Sequence, residues 1–366
     1  MSLLMAVLIG LSILSDDSLN INTVSARLLG TVPGIGSVKA EAIEEYRDTY
    51  GPFYELGELE YVPGIGPGTV DLLRESCFID PEALPLPDTS HWLARADSLD
   101  PLVEVFFLDV GQGDAILVRA SEGRTLLFDG GPGPNGPLEP AVVFRLRQLG
   151  VDTVHVLAFS HPHADHIGGL ASVLETFTVL EVLDPGMVFS SRVYEDLLNE
   201  VMRAGCDYGL LEQDMVMELS PCVTATVEYA APLGSDLEVN ENSALMRITC
   251  GDFSVLLTGD IEDGTEMLLA PAAVPVTVLK VPHHGSLSSV FPPYLRSLSP
   301  QLAVFSCGRR NRFGHPHPRV VETYEEMGCG ILRTDTQGTI VVQSDGKVFS
   351  VSTLPARYRP EERIED

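Results

Sequence analysis

The sequence predicts an α/β fold over residues 102–354, preceded by a small all-α domain over residues 16–80. Three observations point to this division. Apolar strand-like runs alternate with helix-like stretches through the larger region. In the smaller one, Val32-Pro-Gly-Ile-Gly36 recurs thirty residues later as Val62-Pro-Gly-Ile-Gly66. Finally, the loop His161-Pro-His163-Ala-Asp165-His166 follows directly on the apolar run 154–159, so four metal-ligand side chains stand at the mouth of a strand.

At 366 residues the chain is long enough for one large core and one small one. Its net charge of −29 argues against capture of a polyanion by the overall field, so any such binding needs a local basic patch. Arg309, Arg310 and Arg312 form the densest cluster of positive charge, and arginine suits phosphate oxygens through its fork of donors. Six scattered cysteines without a CxxC pair suggest neither a structural zinc site nor a dense disulfide framework; buried thiols are the plainer reading, with Cys206 and Cys222 the nearest pair.

In chain order, residues 1–15 come first. Leu3 to Leu14 is apolar, shorter than the roughly 20 residues of a spanning helix, and no lysine or arginine precedes it. It reads as an export or anchor segment, which predicts an extracellular or cell-surface protein, with a cytoplasmic one as the alternative. Nothing else resembles a membrane span, so the chain by itself is no transmembrane channel. No protein partner is predictable.

In the 16–80 domain, helical stretches follow each repeat, at 38–50 and 68–77. Gly34, Gly36, Gly64 and Gly66 permit tight turns that aim free amides at an anion. The repeat resembles the helix-hairpin-helix motif, and the opening at residues 19–29 is similar to that of the ComEA family of competence DNA receptors. The resemblance implies DNA, single- or double-stranded, as the partner, held by its phosphates at these glycines with Lys39 as the best-placed cation. A helical spacer that binds nothing is the alternative. Four basic against twelve acidic residues in this stretch favour weak binding at ordinary salt. The proline-rich span 81–101 follows as a semi-rigid linker containing Trp92.

The 102–354 domain carries strand-like runs at 103–108, 115–119, 125–128, 154–159, 254–258, 276–281, 302–306 and 339–342. Helix-like stretches lie at 138–149, 193–204 and 318–327, and residues 355–366 form a charged tail. HPHADHIGG at 161–169, together with LLFDGG ending at Gly131, LLTGD ending at Asp260 and LKVPHHGS ending at Ser286, resembles the metallo-β-lactamase superfamily. That implies a four-layer αββα sandwich with two divalent metal ions, zinc or manganese, at one edge. By the same resemblance His161, His163 and Asp260 hold one ion. Asp165, His166, Asp260 and His283 hold the other, with Asp129 bracing the loop. Of the adjacent pair, His283 is the expected ligand, as the first residue off its strand, and His284 contacts substrate.

The strings DVGQGD at 109–114, NENS at 240–243 and NRFGHPHP at 311–318 narrow the resemblance to the hydrolase domain of the ComEC family of competence proteins. It implies a metal-dependent nuclease in which Arg312 and His315 contact the scissile phosphate and His315 protonates the leaving oxygen. Asp114, Asn242, Ser243 and Arg309 line the site. The superfamily's usual middle histidine is missing, and Asn242 and Ser243 stand in its region. His317 reads equally as a turn residue or a catalytic one, and His155 reads as a satisfied histidine of the strand. Two alternatives stay open: a hydrolase of a small phosphodiester, lactone or β-lactam, and a non-catalytic DNA-tethering protein.

Overall fold

The computed structural model describes residues 18–50, 52–53, 56–80, 99–134, 139–309 and 311–354. The N-terminal apolar segment, most of the linker with Trp92, Arg310 and the charged tail lie outside the described residues. The chain divides near residue 86 into two compact units. No helix among the described residues is long and apolar enough to cross a membrane.

In the first unit a parallel pair, β1 (Leu19–Asn20) and β2 (Cys77–Phe78), joins the two ends. Between them run α1 (Ala26–Leu29), α2 (Gly36–Tyr50), a 3₁₀ turn at Leu56–Tyr61 and α3 (Pro67–Ser76). The sequence repeat is a structural repeat. Val32 and Ile35 of the first hairpin and Val62 and Ile65 of the second are all buried. In each, the isoleucine amide donates to the valine carbonyl, at 3.1 and 3.0 Å. Gly34 and Gly64 share the left-handed region at φ +88° and +83°, which an L side chain rarely adopts. The copies diverge one step on: Gly36 is left-handed at φ +65°, whereas Gly66 is an extended N-cap to α3.

The second unit opens with β3 (Val103–Phe107), β4 (Ile116–Ala120), β5 (Thr125–Phe128), α4 (Ala141–Gln148) and β6 (Thr153–Ala158). Then come α5 (Ala164–Ile167), α6 (Leu170–Thr176), β7 (Thr178–Asp184), α7 (Arg192–Ala204) and β8 (Asp207–Leu210). A second series follows: β9 (Val216–Ser220), β10 (Val223–Tyr229), β11 (Leu245–Cys250), β12 (Phe253–Leu257), α8 (Asp263–Leu269) and β13 (Val278–Lys280). The chain ends with α9 (Pro292–Leu298), β14 (Leu302–Phe305), α10 (Pro318–Glu326), β15 (Gly330–Arg333), α11 (Thr334–Gln337), β16 (Thr339–Ser344) and β17 (Phe349–Leu354).

Two mixed sheets result, in the orders β17-β16-β3-β4-β5-β6-β7-β8 and β15-β14-β13-β12-β11-β10-β9. Alternate residues of both sheets share one core, including Val105, Val118, Phe128, Val156, Val227, Ile248, Val255, Val304 and Val342. On the far side of the first sheet, Leu117, Leu127 and Leu157 pack with Leu146, Leu170 and Leu197 of α4, α6 and α7. On the far side of the second, Phe305 meets Tyr324 of α10 edge to face at 5.5 Å. This is the expected αββα layering. All six cysteines are free, so no disulfide supports it.

In each sheet one block of strands is parallel, β5 to β8 and β12 to β15. Side chains borne just beyond the carboxyl ends of such strands meet at one edge, where α/β folds place their ligands.

Candidate metal centre

The loop after β6 is held from below. Asp129, just past β5, is fully buried at φ +62° and accepts from the Ser160 amide at 2.7 Å and from Nδ1 of His166 at 2.9 Å. That bond leaves Nε2 of His166 facing outward, 3.2 Å from Oδ2 of Asp260. An Nδ1–H donated to Asp129 fixes the orientation of the ring and its tautomer together.

Close backbone packing fixes the rest, and glycines make it possible. A Cβ on Gly113 would lie 2.1 Å from the carbonyl oxygen of Asp165, and one on Gly259 would lie 2.6 Å from Cβ of Ser160. Gly168 and Gly169 press as tightly on Gly133 and Gly130. The DVGQGD loop is tied to the histidine loop through the Asp114 amide, which donates to the Asp165 carbonyl at 3.2 Å.

Beyond β13 the backbone turns sharply. His283, His284 and Gly285 are successively left-handed, at φ +46°, +54° and +84°. Two non-glycine residues in this region mark a stretch held in place by its surroundings. The turn decides which histidine faces Asp165 and Asp260, and that residue is His284, not the expected His283. His284 is buried, with Nε2 3.6 Å from Asp165 and 3.5 Å from Asp260, and its Nδ1 lies 2.9 Å from the Ser306 carbonyl. His283 is 21% exposed and turns its Nδ1 to Glu262 at 3.0 Å, leaving its Nε2 3.9 Å from Asp260. Being first off the strand does not put His283 inside, because the left-handed turn swings the second residue of the pair inward.

Asp165, His166, Asp260 and His284 thus bring one ligand atom each within 4.8 Å of one another. Nε2 of His284 and Oδ1 of Asp260 are buried without a hydrogen-bond partner among the described residues. Two imidazole nitrogens and two carboxylates converging at unsatisfied buried atoms fit a borderline divalent cation. His161 and His163 lie alongside, their rings 3.0 Å apart from Nε2 to Nδ1. Ser243 spans the gap between His161 and Asp260: its Oγ is 3.2 Å from Nδ1 of His161 and accepts from the Asp260 amide at 3.2 Å.

Electrostatics follows from this crowding. Burial pushes His161 well below the usual histidine range, with the neighbouring His166 adding to it. For His166 burial acts downward, but Asp260 and Asp129 outweigh it and hold the ring well above that range. Burial likewise opposes a shift in His284, yet Asp260 and Asp114 raise it to about 9. The carboxyl of Asp260 is held well below its ordinary value, since His166 and His284 overcome its desolvation. Burial lowers His315 to about 4, helped by His283 and His284.

The remaining expected residues fall into two groups. His315 joins the centre, its ring 5.5 Å from that of His283 and 6.4 Å from that of His284, and its Nδ1 is buried without a hydrogen-bond partner among the described residues. Asp114 also joins, 3.4 Å from Nδ1 of His284. Others are engaged in scaffolding. The Asn242 amide donates to the Leu237 and Glu238 carbonyls, Arg309 donates to the Asp335 carbonyl, and Lys39 donates to Thr69 at 2.9 Å between the two hairpins. Arg312 lies over the Phe313 ring at 4.9 Å. His317 caps α10 by accepting from the Arg319 amide, and His155 accepts from the Thr125 amide within the sheet.

Sequence reasoning missed Lys280. Fully buried at the end of β13, its ammonium lies 2.5 Å from Asp114 and donates to the Gly259 carbonyl at 3.3 Å. The signal was there, a lysine inside the apolar run Val278 to Val281 in a chain holding only three lysines. Asn240 and Glu262 were missed as well. Asn240 donates to Glu262 at 3.1 Å, and Glu262 faces Nδ1 of His283 at 3.0 Å, giving that outer histidine a polar backing.

Two stretches of the chain match known families. Residues 15–77 match the helix-hairpin-helix motif, and residues 108–187 match the metallo-beta-lactamase superfamily. ComE operon protein 3 of Bacillus subtilis is 28% identical over 268 residues, covering 69% of this chain and 34% of its own length. Recombination protein 2 of Haemophilus influenzae is 31% identical over 265 residues, covering 71% of this chain and 31% of its own. Ribonuclease Z of Aeropyrum pernix is 35% identical over 146 residues, covering 39% of this chain and 44% of its own. The chain spans about a third of the length of the first two relatives.

Proposed function

We propose that this chain, in which a helix-hairpin-helix segment precedes a metallo-β-lactamase-fold domain, is a metal-dependent phosphodiesterase acting on nucleic acid, with DNA as the substrate. The observation that carries this reading is the buried convergence of Asp165, His166, Asp260 and His284 beside His315, whose Nδ1 has no hydrogen-bond partner among the described residues. Similarity to proteins named for recombination and ribonuclease activity, and a helix-hairpin-helix segment on the same chain, support a polynucleotide substrate.

In this reading Asp165, His166, Asp260 and His284 hold one divalent cation, zinc or manganese. His161, His163 and Asp260 would hold a second. Such ions polarise a phosphoryl oxygen and neutralise charge that develops in an in-line displacement. The chain's own groups do the rest. Asp129 keeps His166 in the tautomer that presents Nε2. Ser243 occupies the region of the absent middle histidine and keeps His161 turned the same way. His315 meets the phosphate through Nδ1, and Arg312 in the same loop adds a cation.

The test is cleavage of single- and double-stranded DNA by the full chain with manganese or zinc, beside Asp165→Ala and His284→Ala. Loss of both metal content and cleavage in the two variants supports the reading. Bound metal without cleavage by the parent chain moves it to a small-molecule hydrolase, and absence of bound metal moves it to a DNA-tethering role.

A further inference from the structure

The loop between β14 and α10 is tied down by one asparagine, yet it holds an aromatic ring out in solvent. Asn311 clamps it four ways. Its amide donates to the Gly308 and His315 carbonyls at 2.9 and 2.5 Å, and its Oδ1 accepts from the Phe313 and His315 amides, both at 3.1 Å. Within this clamp Phe313 is 54% exposed. Its ring stacks on His315 at 5.8 Å and 27°, and the Arg312 guanidinium lies over it at 4.9 Å. His315 in turn lies 6.4 Å from His284, so Phe313 stands within about 12 Å of the metal cluster (5.8 and 6.4 Å end to end). That is near enough for a base on the ring to belong to a nucleotide adjoining the phosphate at the centre.

Charge says what such a ring would be for. A chain of net charge −29 with few free cations gains little from counterion release, so contacts that salt does not screen have to carry part of its grip on a nucleic acid. Base–aromatic stacking is such a contact, worth about 1–3 kcal/mol per base and indifferent to sequence, and arginine adds to it. In a duplex both faces of a base are already covered by its neighbours. Away from a duplex end, only an unpaired base can take the platform.

We propose that Phe313, with Arg312 against its ring, is a stacking platform for one unpaired nucleobase, so that the substrate engaged at the metal centre is single-stranded. This deepens the nuclease reading and rests on it. The test uses the full chain and a single-stranded oligonucleotide carrying 2-aminopurine at successive positions, with calcium for binding and manganese for cleavage. The expected result is quenching at one or two positions, lost in Phe313→Ala and restored in Phe313→Trp. Phe313→Ala is also expected to bind the strand about 5- to 100-fold more weakly, while an abasic strand of equal length binds both proteins alike. Equal binding and quenching by Phe313→Ala, an equal loss on single strand and duplex, or no binding by the parent chain overturns the proposal. Quenching that depends on Phe313 without cleavage of any strand leaves the platform standing and removes the nuclease reading alone.

Discussion

Lys280 has no access to solvent and one carboxylate partner, Asp114. A buried ion pair adds little net stability, but removing one partner strands a charge and costs about 3–5 kcal/mol. Lys280→Met is expected to fall by that amount in denaturant unfolding, with part recovered in Lys280→Met/Asp114→Asn. A double variant no better than the single one would mean that the two charges are not coupled. The adjacent histidines make a second test at this scale. His284→Ala should lower metal affinity at least 100-fold, whereas His283→Ala, whose ring faces Glu262, should change it less than tenfold. Titration calorimetry with zinc reads both. No argument from residue type separates these neighbours, because only the left-handed turn after β13 decides between them.

Among the elements, α8 depends on a residue of the NENS string for which the sequence suggested no role. Asn242 and Ser243 of that string were expected to line the site, whereas Glu241 reaches the start of α8 and accepts from the Glu262, Gly264 and Thr265 amides at 3.2, 3.0 and 2.8 Å. It is a helix cap supplied from more than twenty residues away in sequence. Glu241→Ala is expected to cost about 1–2 kcal/mol, seen as a lower midpoint in urea. In the same helix, burial raises Asp263 to about 6, with Glu241 and Glu262 adding to it. Its folded pKa exceeds the unfolded value of about 3.9, so the native state holds the proton longer and this residue's contribution to stability falls as pH rises from about 4 to 6. Asp263→Asn should therefore melt about 2–4 °C higher than the parent at pH 8, roughly 1 kcal/mol after discounting for partial exposure, with the gap closing at pH 4. Strands were legible where both faces are covered. β14 (LAVF) reads as an unbroken apolar run and β5 (TLLF) nearly so, because every residue is buried, and β13 (VLK) shares that burial although Lys280 ends it. β10 (VTATVEY) buries only alternate residues, and β8 (DYGL) and β15 (GILR) bury none completely, so no apolar run announced them. The charged Glu181 similarly interrupts β7.

For the whole molecule, charge is the dominant fact. Among the few cations of the helix-hairpin-helix unit, Lys39 is already bonded to Thr69, and Arg47 donates to the Ile21 and Val24 carbonyls. Binding of DNA through backbone amides releases few counterions. The logarithm of affinity is accordingly expected to fall with the logarithm of salt at a slope no steeper than about −3, against roughly −0.9 per neutralised phosphate in basic DNA binders. Anisotropy titrations between 50 and 200 mM salt, a range of about fourfold, decide this, and a slope near −6 would show that a basic patch has been overlooked. Most of the candidate centre was legible because its ligands cluster in short strings at strand ends. Lys280 and the choice of His284 were not, since both depend on how strings far apart in sequence meet.

That meeting has a consequence for how the chain holds together. Asp165 and His284 are separated by more than a hundred residues, and Asp260 joins them from a different strand end. An ion binding all three closes long loops that the unfolded chain would leave open, and a tie of that length gains most from lost chain entropy. In a chain without disulfides, such a cation would be a cross-link. Stability should rise by RT ln(1 + [M]/Kd), about 2.7 kcal/mol when the ion stands at 100 times its Kd. Stripping it with a chelator should lower the melting temperature of the αββα domain, and a melting point unmoved by EDTA in a metal-loaded sample would show a frame complete without its ion.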